Sequence, residues 1–246
     1  MDDFRYFLLD PALKDFYRTA RKALSAFDRR IPLPGLSPEE VSAVFRAVLT
    51  DAPELFWFGG EWQSAAEGRQ VFALPRYTFD RAGAREAQLR LERAAAECLR
   101  SLPDTGDVCS RILWLCDWLM AHVAYAGSAA AGQTAYDALA GRSAVCKGIS
   151  KALQYLLRQA GCFATLREGT LDGAARHVWN VVAAEGQFYN ADVTMGYPQF
   201  SFLFHGAAGD DPHRCLLISD ERILRTHRIF DPLPSVLPCS RDYRGG

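Results

Sequence analysis

Apolar positions recur at helical spacing near the start of the chain. Leu13, Phe16, Tyr17, Ala20, Leu24 and Phe27 follow Asp10-Pro11, an N-cap with proline at the first helical position. This predicts a helix over about 11–28. Ser37-Pro38-Glu39-Glu40 has the form of a capping box, and Val41, Val44, Phe45, Val48 and Leu49 behind it make one apolar stripe ending near Thr50. Between Leu55 and Phe79 the pattern changes to aromatics and β-formers, Phe56, Trp57, Phe58 and Trp62 around Gly59-Gly60 and then Val71 to Thr78. Two short strands are expected there, the second with edge character at Pro75. The stretch from Asp80 to Arg100, rich in Ala, Leu, Glu and Arg, reads as a helix stopped by Leu102-Pro103-Asp104-Thr105-Gly106. Residues 103–106 mark the expected domain boundary.

From Asp107 to about Tyr125 a further helix carries Val108, Ile112, Leu115 and Leu119 with Trp114 and Trp118 beside them. Apolar almost all round, it is expected to be a central core helix. Gly127 to Gly132 reads as a loop. Behind Cys146, the residues Ile149, Ala152, Leu153, Leu156, Leu157 and Ala160 keep helical spacing up to Gly161, which has the place of a C′ glycine. His177 to Ala184 and Gln187 to Thr194 then read as two strands joined at Glu185-Gly186, a β-hairpin. A two-residue turn pairs Ala184 with Gln187 and Trp179 with Asp192, which makes His177 and Asp192 diagonal neighbours on one face. Such residues stand about 7–8 Å apart at the backbone, a gap that an imidazole and a carboxylate close with one hydrogen bond. An odd loop without a bulge would put them on opposite faces.

Composition narrows the class. The 246 residues are 49% hydrophobic and 23% charged, with 28 Lys+Arg against 29 Asp+Glu, an ordinary globular balance without the basic excess that a polyanion partner requires. No nucleic-acid partner is expected. The most apolar window, Ile112 to Ala121, contains Asp117 and falls far short of the roughly 18–20 apolar residues of a membrane span, so no membrane partner is expected either. Met1-Asp2-Asp3-Phe4-Arg5 lacks the basic region of a secretory signal, and a cytoplasmic protein is expected. Seven cysteines, an odd number without a Cys-x-x-Cys pair, fit neither a disulfide framework nor a zinc ribbon. Most of them read as small buried hydrophobes.

Cys146 has a different setting. A helix N-terminus presents unpaired N–H groups and the positive end of the dipole, which favour a thiolate over a thiol and can stabilise an oxyanion. Gly148 would allow a close backbone approach there. Taken with the hairpin, the chain offers a nucleophile (Cys146), a base (His177) and an orienting carboxylate (Asp192).

The blocks Ala144-Val145-Cys146-Lys147-Gly148, His177-Val178-Trp179-Asn180 and Tyr189-Asn190-Ala191-Asp192-Val193-Thr194 resemble the transglutaminase-like superfamily, the papain-related group of cysteine hydrolases and acyltransferases. Gln133 to Leu139 and Leu216 to Arg222 further resemble a bacterial-type, mostly uncharacterised branch. The resemblance implies Cys146 as nucleophile, His177 as general base and acid, and Asp192 as the group that fixes the imidazole tautomer. By analogy it implies Gln133 as an oxyanion donor. The reaction it implies is attack on an amide or peptide bond through a thioester, on a peptide or protein substrate, with no cofactor. Lys147 and Val145 stand where cross-linking transglutaminases carry Trp and Gln, and no calcium-loop pattern is present, which favours hydrolysis over transfer to an amine. A non-catalytic peptide- or protein-binding module on the same fold is the alternative. His205, His213, Cys215, His227 and Cys239 match no standard ligand spacing, and no metal is expected. Trp179 and Asn180 are expected to pack beside His177.

The expectation is an α+β papain-like or transglutaminase-like core, residues 106–246, in which a Cys-bearing helix packs on an antiparallel β-sheet. Residues 1–105 form a helical and short-strand N-terminal extension.

Overall fold

The computed structural model describes residues 3–104, 106–127, 132–173, 175–204, 210–230 and 233–243. The chain divides into two units, Met1–Leu89 and Arg90–Gly246.

In the first unit α1 (Phe4–Leu8) is followed by a 3-10 turn at Pro11–Leu13, which the Asp10 side chain caps by accepting from the Ala12 N–H, and this turn runs into α2 (Lys14–Ser25). After β1 (Ile31–Pro32), α3 (Pro38–Asp51) opens on the expected capping box. The Ser37 hydroxyl accepts from Glu40 N–H at 3.2 Å and the Glu40 carboxylate from Ser37 N–H at 2.8 Å. The apolar stripes of both helices are buried: Phe16, Tyr17, Ala20 and Leu24 on α2, and Val41, Val44, Phe45 and Val48 on α3. Asp51 at the end of α3, fully buried, accepts from the N–H groups of Arg5 (2.9 Å) and Tyr6 (3.0 Å) and from the Tyr17 hydroxyl (2.9 Å), so its carboxylate ties α1 and α2 to α3.

The two expected strands are β2 (Phe58–Glu67) and β3 (Gln70–Tyr77), longer than the aromatic pattern suggests. The sheet is antiparallel in the order β1-β3-β2, so β3 is its centre and not an edge. Pro75 is tolerated because β1 pairs only with Ala73 and Phe72, which leaves the nitrogen side of Pro75 without a strand neighbour. The helix α4 (Arg81–Arg100) follows, and the division between the units falls within it.

The second unit is an α+β core. Asp107 caps α5 (Val108–His122) by accepting from Cys109 N–H (3.0 Å) and Ser110 N–H (2.8 Å). Then come β4 (Ala124–Tyr125), α6 (Ala135–Leu139), β5 (Ser143–Ala144) and α7 (Cys146–Gln159). A five-stranded antiparallel sheet completes the unit: β6 (Ala164–Leu171), β7 (Ala175–Ala184), β8 (Gln187–Ala191), β9 (Leu216–Ile218) and β10 (His227–Ile229), in the order β10-β6-β7-β8-β9. Two short helices, α8 (Asp220–Ile223) and α9 (Leu233–Val236), lie near the end of the chain.

The central helix is α7 rather than α5. It packs against α5, α6, β6 and β7, and every residue from Gly148 to Leu157 is buried, whereas α5 leaves Asp117, Ala121 and His122 exposed. The polar residues of α7 that make it look amphipathic are bonded to the sheet. Ser150 Oγ donates to Val178 O at 2.9 Å, Gln154 Nε2 donates to Ala164 O at 3.3 Å, and Asn180 Nδ2 of β7 donates to Ser150 O at 3.0 Å. These three donors are thus paired inside the core. At its other end α7 closes on Gly161 at φ +75°, with Cys162 N–H reaching Leu157 O at 2.8 Å, the C-terminal motif that the glycine predicts.

Across the sheet, Arg167 on β6 is fully buried. Its guanidinium donates to Asn190 Oδ1 (2.7 Å), Asp220 Oδ1 (2.5 Å) and Leu237 O (3.2 Å), and the Trp179 indole donates to the same Asn190 oxygen at 3.0 Å. This network fixes Trp179, two residues along β7 from His177.

Candidate active site

The β7–β8 hairpin turns at Glu185 and Gly186, both with positive φ (52° and 72°), the backbone of a two-residue hairpin turn whose twist matches that of the strands. Ala184 pairs with Gln187 and Asn180 with Ala191, the register that the sequence predicts. His177, further along β7, therefore lies on the same face as Asp192. The second strand stops at Ala191, sooner than expected, because Asp192 caps a 3-10 turn at Val193–Gly196 and its Oδ1 accepts from Thr194 N–H at 3.0 Å. The cap points the other carboxylate oxygen at the imidazole. His177 Nε2 and Asp192 Oδ2 are 2.6 Å apart, with the two residues only 4% and 1% exposed.

Cys146 is near enough to His177 to act on the charge of its imidazole. With Nε2 taken by Asp192, Nδ1 is the nitrogen left to face the sulfur. Burial disfavours the imidazolium, but the Asp192 charge and hydrogen bond, and then Cys146, more than offset this, and His177 is held well above the ordinary histidine value. Asp192 is the complement: burial disfavours its charge, and the hydrogen bonds and charges of His177 and His227 hold it well below the usual carboxylate range.

Cys146 is the first residue of α7, and Val145 before it offers no side-chain cap, so no such cap competes for the first-turn N–H groups. Of the seven cysteines it alone is not buried. Burial pushes Cys98, Cys109 and Cys239 up to about 12 and Cys116 and Cys215 higher still. The parallel pairing of β4 with β5, Ala124 to Ser143 and Tyr125 to Ala144, brings Tyr125 to the helix start. There burial followed by the Cys146 charge pushes its phenol up to about 12, with the Cys146 backbone acting the other way. A cleft of about 550 Å³ opens beside it, lined by His122, Tyr125, Arg142, Tyr197 and Gln199 among others.

Gly132 O accepts from Val145 N–H at 3.1 Å, so the segment carrying Gln133 runs against the first turn of α7. The loop expected over 127–132 lies partly outside the described residues, which omit 128–131. Gly148 is not the point of substrate approach that the sequence suggests. The space above it is filled by Gly132 O and Ala144 of the chain itself.

Trp179, fully buried, stacks on the His177 ring at 5.9 Å between centroids with 21° between planes, so it packs beside His177 as expected. Asn180 does not join it, since the alternation of β7 turns its side chain to Ser150.

The residue that sequence reasoning missed is His227. Fully buried on β10, it places Nε2 3.0 Å from Asp192 Oδ2, while its Nδ1 lies 2.8 Å from the Thr226 hydroxyl. Its strand is three residues long and joins β6 across more than fifty residues of chain, so nothing local marks it. Among the described residues His177, Asp192 and His227 form a cluster of metal-ligand type, as do Asp107, Cys109 and Glu185. The first set does not have the spacing of ligands around one ion. Donors about 2.0–2.2 Å from a tetrahedral zinc stand over 3 Å apart, whereas His177 Nε2 and Asp192 Oδ2 are at hydrogen-bonding distance. Of the other residues scanned as ligands, His205 lies outside the described residues and His213 bonds to Asp117 at 2.6 Å.

A Cys-headed helix packed on an antiparallel sheet, with the histidine on β7 and the aspartate just after β8, is the arrangement that the sequence resemblance implies. No family model matches the chain, and no curated protein matches it. Solved structures similar to it include a TGase (12% identity, TM-score 0.41, covering 65% of this chain and 48% of that one). A candidate cysteine protease from Cytophaga hutchinsonii has 15% identity and a TM-score of 0.38 over 56% of this chain and 63% of its own. A candidate protease from Parabacteroides distasonis has 12% identity and a TM-score of 0.31 over 54% and 36%. The chain spans less than two thirds of the length of each. Among the described residues no helix is long and apolar enough to cross a membrane.

Proposed function

We propose that the chain is a transglutaminase-like cysteine hydrolase of an amide or peptide bond in a peptide or protein substrate. The observation that supports this reading is the buried His177–Asp192 hydrogen bond, with Cys146, the one cysteine that is not buried, within electrostatic reach of the imidazole.

His177 Nδ1 takes the thiol proton, and the imidazolium formed is stabilised by Asp192. The thiolate attacks the substrate carbonyl carbon, and N–H groups at the start of α7 face the oxyanion, with Gln133 as a further donor. His177 then returns its proton to the leaving nitrogen as the C–N bond breaks, which leaves a thioester on Cys146. Water, deprotonated by the same imidazole, attacks the thioester and releases the carboxylate and the thiol. The cleft beside Tyr125 is the place for the substrate group next to the scissile bond.

The test is site-resolved iodoacetamide alkylation of the wild type and of His177→Gln over pH 5–9. The expected result is that Cys146 alone reacts fast below pH 7 and slows at least tenfold in the variant. A Cys146 that reacts like an ordinary thiol in both proteins would leave the binding module as the better reading. With a reactive cysteine in hand, product analysis of amide libraries with and without added amine separates hydrolysis from transfer.

A further inference from the structure

His227 is absent from the mechanism above, yet it is as tightly held as any residue in it. Three donors converge on the Asp192 carboxylate: Thr194 N–H on Oδ1 at 3.0 Å, and His177 Nε2 at 2.6 Å and His227 Nε2 at 3.0 Å, both on Oδ2. An ionised carboxylate only accepts, so both imidazoles carry their proton on Nε2. The Thr226 hydroxyl then donates to Nδ1 of a neutral His227, which selects that tautomer. The ring is fixed in space as well. Its centroid stands 5.4 Å from that of His177 and 4.9 Å from that of Trp179, which it meets edge to face.

We propose that His227 is a positioning residue that shares the Asp192 oxygen bound by His177, so that the carboxylate orients the catalytic imidazole without holding its proton too tightly. Resting on the Cys146–His177–Asp192 reading, this deepens it. In a dry site a lone carboxylate against a lone imidazole makes a very strong pair, and an imidazolium so held is a poor acid toward a leaving amine. A second N–H on the same oxygen draws off part of the charge that His177 sees. It also keeps the carboxylate from turning when His177 is neutral.

The other titratable groups in electrostatic reach are Cys146 on α7, facing His177, and Cys116 on α5, Tyr125 on β4 and Cys215 before β9, which sense the Asp192 charge. The buried thiols and the phenol, pushed up by burial, stay protonated through the neutral range.

The experiment follows the ring nitrogens of the full chain by long-range 1H–15N NMR, pH 5–10, in the wild type, His227→Leu, His227→Gln and Thr226→Val. Leucine removes the donor; glutamine restores an N–H at the place of Nε2. The expected result is that the His177 midpoint in His227→Leu rises by about one pH unit, that of a lost hydrogen bond to a charged group, and returns toward wild type in His227→Gln. Thr226→Val, which keeps the ring, moves the midpoint less. Cys146 alkylation at pH 6 in the same proteins reports the thiolate. A wild-type His177 with an ordinary midpoint beside an unreactive Cys146 overturns the triad reading and this inference together. A wild type that behaves as expected, with a His177 midpoint that does not rise in a folded His227→Leu, overturns the role of His227 alone. A lower melting temperature in both His227 variants without any change at His177 makes it a packing residue only. Should His227→Leu fail to fold, Thr226→Val decides, and an unmoved His177 midpoint there counts against the proposal.

Discussion

A β-carbon on Gly148 would overlap the carbonyl oxygen of Gly132. The same oxygen accepts from Val145 N–H, so one peptide group meets both the N-cap of α7 and its third residue. Gly148→Ala is therefore expected to force the 132–133 backbone off the helix start. Overpacking of this kind costs about 1–3 kcal/mol, to be read as a lower denaturation midpoint. In the same variant Cys146 is expected to lose most of its advantage in alkylation rate. An unchanged midpoint would mean that the segment yields freely.

The His177–Asp192 pair predicts a pH window. The depressed Asp192 contributes stability above its unfolded value of about 3.9, and this is lost as pH falls through the folded value. The raised His177 contributes stability fully below about 6.5, and this is lost as pH rises through the folded value. The pair thus supports the fold most between about pH 4 and 6.5. Denaturation melts from pH 4 to 8 should show a decline on the alkaline side that His177→Gln removes. In Asp192→Asn burial, which pushes His177 down, is opposed only by Cys146, so the decline above pH 6 should shrink or reverse. A slope equal in all three proteins would show that the pair is not linked to folding.

Asp51 makes a prediction for the first unit. Asp51→Ala leaves two helix N–H groups and the Tyr17 hydroxyl without this acceptor in a buried place. A cost of about 2–4 kcal/mol is expected, with Asp51→Asn in between because its amide oxygen still accepts. Amide exchange at Arg5 and Tyr6 should quicken before any change appears in the second unit. Were exchange there as slow as in wild type, Asp51 would not be what holds α1.

The hairpin was legible because its information is local. Two residues of turn and a period of two set the register, and the register puts His177 beside Asp192. Cys146 stood out for the same reason, a helix period with a boundary at each end. What could not be read was set by distant pairings. In β6 a buried arginine and alternate Thr and Glu hide a central strand, since Arg167 is paired with Asp220 fifty-three residues away. Asn180 was expected beside His177, but the period of two along β7 turns it to the opposite face, where it bonds to Ser150. His227 combines both difficulties, a polar residue in a three-residue strand whose partner Asp192 lies thirty-five positions earlier.

Six of the seven thiols are sealed inside, all of them in the second unit. A folded molecule thus offers a reagent one sulfur, an unfolded one seven. The chain carries its own gauge: the stoichiometry of fast-reacting thiol in any preparation, read at a single pH and without substrate, counts how many molecules hold their core closed.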